Sequence, residues 1–72
     1  MSDTVAMLMC ARLSAEEATA IERVVSRCRA EEDLLIREIG VVYLRGMCDI
    51  LCVQERLSQE EAEKLIARVK PQ

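Results

Sequence analysis

The segment LLIREIGVVYLRGMCDILCV, residues Leu34–Val53, decides the fold of this 72-residue chain. On a helical wheel of about 100° per residue, its charged residues fall within about 120°, and large apolar residues fill roughly 200° on the opposite side. A surface helix usually has an apolar stripe about half that wide. We therefore expect a helix, over about residues 33–56, that lies at the centre of a bundle or is shared between two chains. The charged residues are Arg37, Glu38, Arg45 and Asp49, and the apolar residues are Leu35, Ile36, Ile39, Val42, Tyr43, Leu44, Met47, Ile50, Leu51 and Val53.

The wide apolar side of this segment predicts contact with other helices. Gly40 and Gly46 both lie on it, and each costs about 1 kcal/mol in a helix interior relative to alanine. Such glycines are tolerated where they let a neighbouring helix approach the backbone closely. The alternative is a kink at Gly40 that has no function. We expect the interface to be formed by Leu35, Ile39, Val42, Tyr43, Met47, Ile50 and Leu51.

A repeated phrase marks the start of two further helices. The sequence RLSAEEA at residues 12–18 returns as RLSQEEA at residues 56–62. In each copy, a serine followed three residues later by a glutamate can form a capping box. Helically spaced apolar residues follow both copies, so we predict helices over about residues 14–30 and 58–70. The two capping pairs are Ser14 with Glu17 and Ser58 with Glu61.

The boundary between the first and second of these helices has two interpretations. The sequence RAEEDLL at residues 29–35 contains no glycine or proline. We predict a turn at Glu31–Asp33, with Asp33 as the candidate N-cap of the next helix. The alternative is one long helix from Ser14 to about Arg56, paired with a helix from another chain.

The composition indicates an all-α domain. Hydrophobic residues make up 51% of the chain, yet it has one tyrosine and neither tryptophan nor phenylalanine. Alternating strand patterns and hairpin-turn dipeptides are absent from the sequence. A chain this short buries only about 60% of its unfolded surface, so a lone core is marginal. We predict a single domain, residues 1–72, built as a small three-helix bundle completed by dimerisation; residues 3–12 can add a short fourth helix.

The charge pattern argues against nucleic-acid and membrane binding. Thirteen acidic and ten basic residues give a net charge of −3, and the basic residues are scattered, whereas nucleic-acid affinity depends on clustered Lys and Arg. A small helix-turn-helix regulator is an alternative, but no recognition helix follows the last predicted helix. The apolar residues Val5–Ala11 follow Asp3, not a basic segment, and are too few to cross a bilayer. We expect a cytoplasmic protein.

The four cysteines carry the main chemical alternative. Cys48 and Cys52 lie on one helix face, and the wheel places them beside the arginines, off the centre of the apolar side. With Cys10 and Cys28 they could form a four-sulfur site, which would make the protein a thiol-based metal or redox sensor. Structural zinc sites usually pair cysteines in loops, and free cysteine packs like a small apolar residue. We therefore predict a packing role, with no metal or cofactor.

The usual catalytic residues are missing. The chain contains no histidine, so neither a Ser-His nor a Cys-His pair can form. The adjacent carboxylates Glu16–Glu17 and Glu60–Glu61 diverge by about 100° on a helix, and helix capping accounts for them. We predict a protein that is not an enzyme.

The last third of the chain resembles a known oligomerisation unit. The sequence DILCVQERLSQEEAEKLIARV, residues 49–69, is similar to the SHOCT domain, a short C-terminal pair of helices. Leu57, Ser58, Glu60 and Glu61 match the turn of that family. Arg56 and Ala62 depart from it, where the family has glycine and usually an aromatic residue. The resemblance implies association with other chains.

Together these features predict a helical protein–protein interaction module. We expect a homodimer that acts as an adaptor, an assembly factor or a small regulator or inhibitor of a larger, unidentified protein. The size, the acidity and the missing catalytic residues also suit inhibitory accessory proteins of phages and mobile elements, an analogy that rests on no motif.

Overall fold

A computed structural model describes residues 12–70 and contains three α-helices in that range. Helix α1 spans Ala15–Ala30, α2 spans Leu34–Val53 and α3 spans Gln59–Val69. No strand occurs among the described residues. The all-α, three-helix prediction is confirmed, whereas the short helix predicted over residues 3–12 falls almost wholly outside the described residues, apart from Arg12, which is in a turn.

Both predicted capping boxes are present. The Glu17 backbone N–H donates to Ser14 Oγ at 3.1 Å, and the Ser14 N–H donates to Glu17 Oε1 at 3.0 Å. The same pair of bonds joins Ser58 and Glu61, each at 3.0 Å. Each box satisfies two N–H groups that the first turn of a helix would leave unpaired, so these helices begin where their local sequence directs.

The turn between α1 and α2 is also confirmed. Helix α1 ends at Ala30, and Asp33 caps α2 by accepting hydrogen bonds from the backbone N–H groups of Leu35 (2.9 Å) and Ile36 (3.3 Å). The alternative of one long helix from Ser14 to about Arg56 is therefore wrong. A carboxylate placed to accept these two bonds begins a new helix without help from glycine or proline.

Helix α2 ends at Val53, before the predicted end at residue 56. Glu55 has a φ of 59°, in the left-handed region. Its N–H donates to the Cys52 carbonyl at 3.0 Å, and the Arg56 N–H donates to the Leu51 carbonyl at 2.9 Å. These two bonds form a Schellman motif. The early end was missed because glutamate, not glycine, occupies the left-handed position.

The core lies where the three helices meet, and α2 contacts both α1 and α3. A β-carbon added to Gly40 would lie 2.6 Å from Cys28 Sγ, so this glycine permits the close approach of α1 that the sequence predicted. The helix is continuous through Gly40. The buried side chains are Ala18, Ile21, Val25 and Cys28 of α1, Val41, Leu44 and Cys48 of α2, Leu57 before α3, and Ala62, Leu65, Ile66 and Val69 of α3.

The side of α2 that packs in the core lies near Arg37. Its buried residues are Val41, Leu44 and Cys48, which lie close to the wheel position of Arg37. Cys48 lies off the centre of the apolar arc, as the wheel places it, and is 1% exposed. Gly40 allows the close approach of α1, and the Arg37 Nε–H donates to the Val69 carbonyl of α3 at 2.8 Å. The centre of the wide apolar arc consequently points away from the core.

Candidate interaction surface

The outward side of α2 is an apolar surface, called here the outer face. Its large side chains range from 53% exposed at Ile36 to 84% exposed at Val53. A contiguous apolar surface of this kind on a small domain marks an interaction site more often than chance exposure. The outer face comprises Leu35, Ile36, Ile39, Val42, Tyr43, Gly46, Ile50 and Val53.

The predicted interface residues divide into two groups. The exposed group lies on the outer face and comprises Leu35, Ile39, Val42, Tyr43 and Ile50. Met47 and Leu51 are partly buried and pack against the core, so they lie beside the outer face and not on it. Ile36 and Val53 were not predicted as interface residues, although both are more than half exposed.

The signal that would have found Ile36 and Val53 is a heptad-like spacing. Starting at Ile36, apolar or glycine positions recur at intervals of three, four, three, four and three residues. This alternation is the pattern of a helix that packs along its length against one other helix. The six positions, called here the seam, are Ile36, Ile39, Tyr43, Gly46, Ile50 and Val53.

The outer face is an extended apolar surface. Its seven large residues have exposed fractions between 53% and 84%. A standard protein–protein interface buries about 800 Å² and about 20–30 residues on each partner. Seven residues form the central part of an interface of that size, so a partner that covers the outer face would also contact the residues beside it.

A shallow apolar groove extends the outer face toward α1. It has a volume of about 230 Å³ and is lined by Ala20 and Ile21 of α1 and by Met47, Ile50 and Leu51 of α2, with Glu17 at its edge. Because Ile50 belongs to both surfaces, the groove and the outer face are continuous. A helix packed along α2 would have room for side chains in this groove.

The charged residues near the outer face lie along one border. Glu38, Arg45 and Asp49 are exposed on α2, and Arg45 Nη1 is 3.9 Å from Glu63 Oε1 of α3. An exposed pair at this distance adds little stability. The centre of the outer face contains no charged residue, so an apolar partner could approach it without burying a charge.

The cysteines with a resolved pKa change are core residues. Burial is the main cause that raises the pKa of Cys48, to about 11, and burial also raises the pKa of Cys28. Both thiols therefore lose their protons less readily than a free cysteine. Within residues 12–70, no group of three or more Cys, Asp or Glu side chains is arranged to hold a metal ion.

Arg56 joins the two copies of the repeated phrase. Its guanidinium donates hydrogen bonds to the Arg12 carbonyl at 3.2 Å and to the Glu17 carboxylate. The bond from Arg56 is the main cause that lowers the pKa of Glu17 to about 2, and the Ser14 N–H contributes next. Glu17 thus both caps α1 and connects it to the turn after α2, so the repeated phrase has an architectural role.

No helix among the described residues is long and apolar enough to cross a membrane. The chain matches no family model, no curated protein and no solved structure. The resemblance of residues 49–69 to the SHOCT domain therefore stays a prediction.

Proposed function

We propose that this chain is a non-enzymatic, homodimeric protein–protein interaction module, in which the outer face of α2 is covered by a second copy. As a dimer it acts as an adaptor or as a small regulator or inhibitor of a larger protein. Its free cysteines suit the reducing environment of the cytoplasm.

One observation carries this proposal: most of the large apolar side chains of α2 point away from the core. Leu35, Ile39 and Tyr43 are each more than 60% exposed, while only Val41, Leu44 and Cys48 of the same helix are buried. Each Å² of apolar surface that a partner covers stabilises the complex by about 25 cal/mol. A second copy of the chain has the same apolar surface, so the two outer faces can cover each other without any other protein.

The size of the domain supports the same conclusion. Within residues 12–70 the core has twelve buried residues, several of them alanine or cysteine, and domains of this length commonly gain stability from self-association. Because the outer face is apolar along the length of α2, burying it in a dimer would add a second apolar core to the first.

The test is the molar mass in solution, measured by light scattering for the wild type and two glutamate variants. We expect the wild type near twice 8.1 kDa. Ile50→Glu places a charge inside the proposed interface and should yield a monomer. Ala67→Glu, at an exposed position of α3, is the matched control and should remain dimeric.

Two results would contradict the proposal. A wild-type chain that remains at 8.1 kDa at millimolar concentration would show that the outer face does not pair. A dimer that Ile50→Glu leaves intact would show that association uses another surface. Circular dichroism of each variant would verify that the three helices are retained.

A further inference from the structure

We infer that the two copies pack with their α2 helices antiparallel, so that Tyr43 of each chain lies over Gly46 of the other. This inference rests on the proposed dimer and adds its geometry. It is carried by the order of side-chain sizes along the seam and by the empty space above Gly46.

The spacing of the seam is the same in both directions. Read from either end, its intervals are three, four, three, four and three residues. An antiparallel copy of α2 therefore meets the first with every seam position opposite another seam position. The opposing pairs are Ile36 with Val53, Ile39 with Ile50, and Tyr43 with Gly46, each occurring twice about a two-fold axis.

The central pair matches the largest residue of the seam with the smallest. Tyr43 is the single aromatic residue of the chain and is 63% exposed. Apart from the adjoining residues and backbone of α2, no atom of residues 12–70 lies within 4 Å of the position that a β-carbon on Gly46 would occupy. An aromatic ring from a second chain can therefore rest against the backbone at Gly46, since glycine allows this close approach.

A parallel pair would pack poorly at the same place. It would put Tyr43 against Tyr43 of the other copy and Gly46 against Gly46. One layer would be crowded, and the next would contain a void that no side chain of the seam can fill. Protein interfaces approach the packing density of protein interiors, so the antiparallel arrangement suits the seam better.

The glycine at position 46 is not explained by contacts among residues 12–70. Glycine disfavours a helix interior relative to alanine, and Gly40 is explained by its contact with Cys28. Gly46 is exposed and has no such neighbour among the described residues. A ring from a second copy supplies the missing reason, because a side chain at position 46 would occupy the space of that ring.

Disulfide cross-linking distinguishes the two orientations. Two single variants, Ile39→Cys and Ile50→Cys, are made in a chain whose Cys10 and Cys52 are replaced by serine, and one of the two carries a tag that changes its mass. Both isoleucines are more than 60% exposed, so these changes leave the core intact. The variants are oxidised separately and after mixing, and the products are separated by size.

The antiparallel pair predicts cross-linking only in the mixture, as the heterodimer of tagged and untagged chains. Within either single variant the two cysteines would lie eleven residues apart along the helix, or about 16 Å. A disulfide needs Cα atoms within about 7 Å. Ala67→Cys on α3 serves as the control for random collisions, and it should give no product.

The other outcomes have different meanings. Cross-linking within each single variant would overturn the antiparallel arrangement and favour a parallel dimer, which leaves the proposed function standing. A dimeric mass with no cross-link in any sample would show that the chains do not pair along the seam, and it would overturn the antiparallel arrangement as well. A monomeric mass for the parent chain would overturn the proposed function itself.

Discussion

The two glycines of α2 provide a matched pair of substitutions with opposite expected effects. Gly46→Ala adds a methyl group that no other part of residues 12–70 approaches within 4 Å, apart from the adjoining turns of α2. In the monomer it should raise the free energy of unfolding by about 1 kcal/mol, the usual helix-interior difference between the two residues. For a domain of this size that corresponds to a rise in Tm of roughly 4–8 °C.

Gly40→Ala should have the opposite effect. Its methyl group would lie 2.6 Å from Cys28 Sγ, so α1 and α2 must move apart or the sulfur must shift. Overpacking of this kind costs about 1–3 kcal/mol, and the helix-propensity gain offsets about 1 kcal/mol of it. We expect a loss of up to about 2 kcal/mol. Adding Cys28→Ala removes the sulfur, so Gly40→Ala should be less harmful in that background.

The assay is thermal unfolding followed by circular dichroism at several protein concentrations, because the stability of a dimer depends on concentration. At the lowest concentration Gly46→Ala should be more stable than the wild type and Gly40→Ala less stable. At high concentration the advantage of Gly46→Ala should shrink or reverse, since its methyl group competes with Tyr43 of the other copy. The reasoning fails if Gly46→Ala destabilises the monomer, or if Gly40→Ala stabilises it by the full helix-propensity difference.

Three further changes test individual features of the fold. Glu55 has a φ of 59°, in the left-handed region that glycine adopts without strain. Glu55→Gly should therefore raise the free energy of unfolding, measured by urea titration, by about 1 kcal/mol. A loss of stability would show that the Glu55 side chain makes a contact that stabilises the fold by more than the backbone strain costs. The pKa of Glu17 falls from its ordinary 4.5 to about 2 on folding, so its contribution to stability is present above about pH 4.5 and is lost as the pH falls toward 2. Glu17→Gln should remove that part of the acid dependence, and an unchanged profile would show that Glu17 is not responsible. Burial raises the pKa of Cys48 to about 11, so at pH 8 a maleimide should modify Cys48 slowly in the folded chain and rapidly in urea. Mass spectrometry of the peptides would measure the modification of Cys48. Fast modification in the folded chain would argue against a purely structural thiol.

The parts of the fold set by local sequence could be predicted. A capping serine with its glutamate at N3 needs no other element to begin a helix, and Asp33 caps α2 in the same local manner. The helix starts and the turn at Glu31–Asp33 therefore followed from a few neighbouring residues.

The rotation of α2 could not be predicted from its own residues. A helical wheel placed Ile39 and Tyr43 on one wide apolar side and did not divide that side between the core and an interface. The actual core side of α2 contains Val41, Leu44 and Cys48, and Gly40 lies against Cys28 of α1. Which side packs depends on the fit between helices, a property of the whole bundle.

The candidate surface was predicted in part for the same reason. The sequence showed that the apolar residues of α2 exceed what its neighbours can cover, and five predicted interface residues are exposed. It did not show where the core ends and the outer face begins, so Met47 and Leu51 were included while Ile36 and Val53 were left out. The heptad-like spacing of the seam becomes informative only once the core side is known.

The fluorescence of Tyr43 tests the pairing of the outer face most directly, because this residue is the single aromatic of the chain. Its quenching by acrylamide would be measured across a dilution series, beside the molar mass of the same samples. We predict efficient quenching in dilute monomer, where Tyr43 is 63% exposed, and protection over the concentration range in which the mass doubles. Equal quenching of Tyr43 in monomer and dimer would place the interface elsewhere and contradict the account.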